Sequence, residues 1–325
     1  MNAADLTLLD NLFDSKVGDF DQFAIRLHNF QLGHCNAYAN FYLSVKDKLN
    51  MPFAFFPVEL FKTNKIYSAD KPEQLIFESS TTTSQVPSKH YVADEALYKK
   101  SFGSAFRIFY GKAQDYIIMA LLPSYLERGN SSLVYMVNEL IQQSNHPLGA
   151  FYLNNFYELY QNLEKAKLTG RKILLLGVTY ALLDFSSQYA IDLSGHTVME
   201  TGGMKGRGPE LTRNEVHEKL QKSFNVQAIH SEYGMTELLS QAYAYENGKF
   251  QTPPWMKVVI TDLNDPFTMM PAGKTGRINV IDLANVYSCA FIQTSDIGKQ
   301  YEDGTFEVLG RMDNSEVRGC NLLYV

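Results

Sequence analysis

Between residues 35 and 49, apolar side chains recur every three or four positions, at Ala37, Tyr38, Phe41, Tyr42 and Val45. That spacing draws one stripe along a helix and predicts an amphipathic helix laid on a core. Residues 132–143 are a second helix candidate, and a Ser/Thr-rich loop at 79–88 precedes them. From residue 172 the rhythm changes to short apolar runs that stop at glycine or polar turns and alternate with helical stretches, the pattern of parallel α/β units. One run, 172–176, stops at Gly177, and another, 196–199, leads into Thr201, Gly202 and Gly203. Thr212 and Glu215 have the spacing of a capping box, in which hydroxyl and carboxylate satisfy free amides at a helix start. A helix to about Phe224 is predicted there, followed by a strand at 226–230. Beyond Trp255 the chain reads as nearly all strand, at 256–261, 277–281, 289–293 and 305–309, separated by Asp-Pro, Pro-Ala-Gly and Asp-Gly turns.

The pattern therefore predicts an α/β protein with one large domain over 1–310, whose α/β part reaches about residue 254 and whose small β-rich part covers 255–310, and a short tail over 311–325. Composition adds limits. With 325 residues, 45% of them hydrophobic, the chain can bury a substantial core. No apolar run is long enough to span a membrane, and Asp5 and Asp10 stand where a secretion signal would be basic, so membrane insertion is not expected and a cytoplasmic location is. A net charge of −6 without any Lys/Arg block argues against nucleic acid as a partner. Cys35, Cys289 and Cys320 lack the paired spacing of a zinc site or disulfide framework, and the seven histidines form no ligand-spaced cluster.

Three stretches carry candidate chemistry. The first contains six consecutive hydroxyl residues, Ser79 to Ser84, followed by Lys89. Hydroxyls and turn amides can donate to anionic oxygens while a lysine neutralises charge, although a solvated loop has the same composition. The second, Ser231-Glu232-Tyr233-Gly234-Met235-Thr236-Glu237, follows the predicted strand at 226–230. At a strand end an aromatic ring can stack a base, a hydroxyl can touch phosphate and a carboxylate can hold Mg2+, and a helix-capping turn would look similar. In the third, Asp296 precedes Arg311 by about fifteen residues, with Asp303-Gly304 between them. Such an Asp can accept both hydroxyls of a ribose and such an Arg can donate to the same sugar or its phosphate, and a β-hairpin turning at Asp-Gly is compatible with that reading.

Taken in this order, the stretches resemble the adenylate-forming superfamily of acyl-CoA synthetases, luciferases and nonribosomal adenylation domains. The likeness runs from about Phe77 to Gly319, and Leu122-Pro123-Ser124-Tyr125-Leu126-Glu127-Arg128 with Asn130-Ser131-Ser132 is similar to the acyl-protein synthetase group. The resemblance implies the large N-terminal domain of such enzymes, with ATP and Mg2+ as cofactors. It implies that Ser79, Ser80, Thr82 and Thr83 lie along the phosphates with Lys89 as the nearby cation. Thr201, Gly202 and Gly203 then form the turn beside adenine and acyl group, Tyr233 flanks the adenine, Thr236 meets the α-phosphate and Glu237 holds the metal, while Asp296 and Arg311 hold the ribose. Two departures from that pattern are expected to matter: Thr81 and Ser84 replace loop glycines, and a full C-terminal domain with its catalytic lysine is not expected within these 325 residues.

The activity implied is ATP-dependent activation of a carboxylic acid, a fatty acid by the likeness, followed by transfer of the acyl group to a thiol. Cys320, next to Gly319 and Arg318, is the candidate acceptor; coenzyme A and a carrier protein are the alternatives. A nucleotide- or acyl-binding subunit without catalysis is the rival from another class. Homo- or hetero-oligomer formation stays open.

Overall fold

Capping and burial mark out the first helices of the computed structural model, which describes residues 12–13, 19–80, 86–122, 130–202 and 211–312. Asp19 accepts from the Gln22 amide to start α1 (Phe20–His34), and α2 (Asn36–Val45) follows with Tyr38, on the predicted stripe, fully buried. A short strand, β1 (Phe56–Pro57), enters a 3-10 turn over Val58–Lys62, and β2 (Leu75–Glu78) pairs antiparallel with β3 (Lys89–Val92).

A central sheet comes next. The elements α3 (Glu95–Tyr110), β4 (Tyr116–Leu121), α4 (Ser132–Ser144), β5 (Ala150–Phe151), α5 (Phe156–Lys167), β6 (Lys172–Val178), α6 (Thr179–Gln188), β7 (Thr197–Thr201), α7 (Arg213–Phe224), β8 (His230–Tyr233) and β9 (Ala242–Ala244) alternate along the chain. They build a six-stranded sheet in the order β5-β4-β6-β7-β8-β9, parallel throughout except at β9. Every residue of β4 is buried, as expected of strands covered by helices on both faces. The predicted capping box at Thr212 and Glu215 is present, with each side chain bonded to the other residue's amide.

Two boundaries differ from the sequence reading. The strand starting at Lys172 runs through Gly177 to Val178, because a side chain at Gly177 would run into Leu182 of α6; the glycine lets helix and strand pack closely. The strand predicted at 226–230 begins only at His230. Asn225 adopts a left-handed C-cap (φ 51°) and residues 226–229 carry the chain back to the sheet, so Val226 and Ile229 are core packing and not strand.

Beyond Trp255, β10 (Met256–Thr261), β11 (Thr275–Asp282), β12 (Phe291–Gln300) and β13 (Phe306–Arg311) form an antiparallel sheet. The sequence placed a strand at 289–293, whereas β12 starts two residues later and extends seven further, into polar positions. It pairs with β11 along one edge, and with β1 and β13 on the other, so a segment from the first sixty residues joins this second sheet. Phe250 bridges to Phe306, and the Arg213 guanidinium lies 5.3 Å from the Phe250 ring while donating to the Val308 carbonyl at 3.1 Å. These contacts tie the second sheet to the helical side of the first. No described helix is long and apolar enough to cross a membrane.

Candidate active site

The carboxyl ends of β6, β7 and β8 open onto one cleft of roughly 1270 Å3, the position where parallel α/β sheets bind ligands. Thr179 follows β6, Thr201 and Gly202 end β7, and Tyr233 to Glu237 end β8; all line the cleft. The second sheet closes the opposite side with Ser295 and Asp296 of β12 and with Arg311 of β13. The β2–β3 hairpin adds Glu78, Ser79, Ser80 and Ser88.

Tyr233 belongs to β8 itself, since the motif predicted to follow the strand supplies its last three residues. Its hydroxyl donates to Asp296 Oδ2 at 2.8 Å, and Arg311 Nε lies 3.9 Å from Oδ1 of the same carboxylate. Asp296 and Arg311 face each other across the β12–β13 pair, where the register shifts between Ile297 and Gly298. Such bulges re-aim side chains, here toward the cleft. Burial raises the Asp296 carboxyl above its ordinary range, and the Tyr233 hydroxyl and Arg311 charge oppose that rise.

The Thr236–Glu237 backbone is held from beneath. His90 Nδ1 lies 2.8 Å from the Thr236 carbonyl, and its Nε2 is 3.1 Å from Asn285 Oδ1. The Asn285 amide in turn donates to the Glu237 carbonyl at 2.7 Å and to the Cys289 carbonyl at 2.9 Å. Burial lowers His90 to about 4, so its neutral ring has one N–H for two oxygen neighbours. The Glu237 carboxylate, 4% exposed, accepts from the Ser88 hydroxyl. Burial raises its pKa, while that bond and the charges of Arg311 and Lys62 pull it down.

A second pair of carboxylates lines the cleft. Glu200 accepts from Thr179 Oγ1 and from Ser231 Oγ, each at 2.7 Å, with His217 Nε2 at 3.7 Å and Arg213 Nε at 4.0 Å. Those donors hold Glu200 below its ordinary range although burial opposes them. Glu232, 7% exposed, accepts from the Thr201 hydroxyl, and burial together with the Glu200 charge raises it to about 7. Beside it, Gln241 is 5% exposed and its Oε1 has no hydrogen-bond donor among the described residues.

Of the residues singled out from sequence, Ser79, Ser80, Thr201, Gly202, Tyr233, Thr236, Glu237, Asp296 and Arg311 share this cleft. Thr201 gives its hydroxyl to Glu232. Lys89 is not among the cleft-lining residues; its ammonium lies 3.2 Å from Oε1 of Glu78, which does line the cleft, and among the described residues Lys62 is the lysine at the cleft wall. Thr82, Thr83, Gly203 and Cys320 lie outside the described residues, as do Thr81, Ser84 and the 123–129 stretch. His230, which begins β8, bonds to the Tyr110 hydroxyl at 3.1 Å and is lowered by burial to about 4, a packed core histidine. Cys35 and Cys289 are buried, which pushes both thiols up. Sequence reasoning missed Lys62, Ser88, His90, Glu200, Arg213, Gln241 and Asn285 as site residues. Ser88 and Glu232 stood inside quoted motifs, but their partners come from distant segments and leave no local signal.

The profile of one family, described as "Acyl-protein synthetase, LuxE", matches residues 34–324. No curated protein matches the chain. Solved structures of similar fold include ATP-bound MatB from Rhodopseudomonas palustris, at 18% identity and a TM-score of 0.55, covering 75% of this chain and 50% of that one. An open conformation of 2-hydroxyisobutyryl-CoA ligase in complex with 2-HIB-AMP and CoA aligns at 12% identity and a TM-score of 0.65, over 91% and 69% of the two chains. A long-chain-fatty-acid-CoA ligase, FadD1, from Archaeoglobus fulgidus aligns at 16% identity and 0.53, over 77% and 53%. At these identities the likeness is one of fold, and the chain spans about half the length of MatB and FadD1.

Proposed function

The chain belongs to the LuxE acyl-protein synthetase family, and from that membership and the cleft we propose that it activates a carboxylic acid with ATP and passes the acyl group to a thiol. The observation that carries the reading is the meeting of Tyr233, Glu237, Asp296 and Arg311 in one cleft at the strand ends, although they come from four separate elements or turns.

In this reading the adenine lies against Tyr233 and the Gly202 turn, where the missing side chain permits close approach. Asp296 accepts the ribose hydroxyls, releasing the Tyr233 hydroxyl or sharing the carboxylate with it, and Arg311 donates to the same sugar. Thr236, Ser79, Ser80 and Ser88 supply hydroxyls to the phosphates, and Lys62 and Arg311 supply positive charge. Glu237 suits a magnesium ion: it is an oxygen ligand at the cleft wall, and Mg2+ needs one or two carboxylates when phosphates and water complete its shell. The bound ion would offset charge on the phosphates.

A carboxylate oxygen of the acid attacks the α-phosphorus, the bond from that phosphorus to its bridging oxygen breaks, and pyrophosphate leaves with the electron pair. The acyl-AMP then meets a thiolate, which attacks the carbonyl carbon; the carbon–oxygen bond to AMP breaks and a thioester remains. Cys320 is the proposed acceptor, with coenzyme A and a carrier-protein thiol as alternatives.

Exchange of labelled pyrophosphate into ATP, tested with fatty, aromatic and short-chain acids, checks the first half-reaction. Acid-dependent exchange is expected, and nucleotide binding without exchange for any acid would leave a non-catalytic binding subunit. Mass spectrometry after incubation with ATP and acid checks the second half: the acyl mass is expected on Cys320. An unmodified Cys320 alongside active exchange moves the acceptor role to an external thiol.

A further inference from the structure

The cleft wall next to Tyr233 is equipped to receive a hydrogen-bond donor that none of the described residues supplies. Side chains alternate along β8, so Ser231 and Tyr233 point to one face and Glu232 to the other. Among the described residues Glu232 has one hydrogen bond, from the Thr201 hydroxyl to Oε2. Its Oε1 packs beside Gly234, where a side chain on that glycine would collide with it, and the same site would touch Gln241. Glu232 and Gln241 are therefore neighbours across Gly234, and both line the cleft. Among the described residues the Gln241 Oε1 has no donor, although buried amide oxygens are nearly always satisfied. No lysine, arginine or histidine of the described residues lies within ion-pair distance of Glu232, whereas Glu200, its neighbour on β7, has Arg213 and His217.

Two buried acceptors, one of them a carboxylate without a counter-charge among the described residues, suit a group that brings hydrogens and positive charge. We propose that Glu232 and Gln241 form a polar subsite that selects carboxylic acids bearing an amino group, a hydroxyl being the weaker fit. An ammonium supplies up to three hydrogens and compensates the carboxylate, while a hydroxyl supplies one hydrogen and no charge. An unsubstituted alkyl chain at this position leaves both acceptors desolvated and unpaired, which is the most effective way a site rejects an analogue. The substrate class rests on the reading of the cleft as an acid-activating site.

The test is pyrophosphate exchange with a matched six-carbon series: hexanoate, and hexanoates carrying an amino or a hydroxyl group at C2, C3 or C6. At least one amino acid of the series is expected to exceed hexanoate in kcat/KM by about tenfold or more, the lower part of what one unsatisfied buried polar group costs. In E232Q and Q241L that ratio is expected to collapse toward one. Preference for hexanoate over every substituted acid, or a ratio that survives both substitutions, overturns the subsite. An equal rise in the ATP KM for all acids also overturns it, by assigning the pair to the nucleotide. If no acid supports exchange, activation itself has failed, and calorimetric titration with the amino-substituted hexanoates in the presence of ATP decides the subsite alone. Binding in the unsubstituted protein that Q241L abolishes sustains it, and no binding removes it. Urea midpoints of both variants verify that each is folded.

Discussion

Tyr233 and Asp296 are joined by one hydrogen bond, and each depends on the other for more than position. Burial makes ionisation of Asp296 costly, so the donor on Tyr233 and the charge of Arg311 decide how well this carboxylate can receive a sugar. Replacing Asp296 by Ala is expected to raise the ATP KM in pyrophosphate exchange by about tenfold to a hundredfold, the equivalent of a lost charge-assisted hydrogen bond. An unchanged KM would remove Asp296 from the nucleotide site. The lysines give a sharper contrast. Lys89 pairs with Glu78 at the rim of the hairpin without itself lining the cleft, and Lys62 lines the cleft. K89M is expected to stay within about twofold of the parent activity, as loss of a partly exposed ion pair changes little, while K62M is expected to lose about tenfold or more in kcat/KM for ATP. The reverse order in the same assay would restore Lys89 to the role that its place in the sequence suggested.

The turn after β8 owes its shape to side chains of the second sheet. Asp282 of β11 accepts from the amides of Leu239, Ser240 and Ala284 and from the Ser240 hydroxyl, and Ser240 also receives the Trp255 indole N–H at 3.0 Å. Removing the carboxylate leaves several buried donors unsatisfied. D282A is expected to lower the stability measured by urea titration by about 3 kcal/mol or more, and D282N by less, because each orphaned buried donor costs on the order of 1–3 kcal/mol. Equal small losses in both variants would mean that water replaces these bonds. Elements with a local cause were legible in the sequence: the stripe on α2, the capping box of α7 and the alternating runs that became β6 and β7. The failures have physical reasons too. Val226 and Ile229 are apolar because they pack on the core after a left-handed cap, and composition cannot separate that from a strand. The far half of β12 is polar because one face borders the cleft, so Ser295 and Asp296 interrupt the pattern where the site is. Asp296 and Arg311 were visible through their motif; Glu200, Gln241 and Asn285 were not, because only strand register and long-range packing make them neighbours of the cleft.

For the molecule as a whole, the buried acids and histidines bend stability with pH in opposite directions. His28, His90 and His230 are held near 4, below the ordinary 6.5, so acid favours the unfolded chain as pH falls between those values. Glu232 behaves conversely. Raised to about 7 from an ordinary 4.5, it holds more protons folded than unfolded in that interval, so its contribution to stability falls as pH rises from 4.5 and the penalty is complete above 7. E232Q lacks this penalty. Its stability relative to the parent is therefore expected to improve from pH 5 to pH 8, by at most about 3 kcal/mol, in urea titrations across that range. A difference independent of pH would show that Glu232 ionises normally in the folded protein. The proposed roles of these residues require that one cleft, framed by both sheets, grips an adenine nucleotide. Photolabelling with 8-azido-ATP followed by peptide mapping tests that requirement most directly. The label is predicted on peptides containing Gly202 or Tyr233, with protection by excess ATP; labelling confined to other surfaces, or unaffected by ATP, would contradict the account.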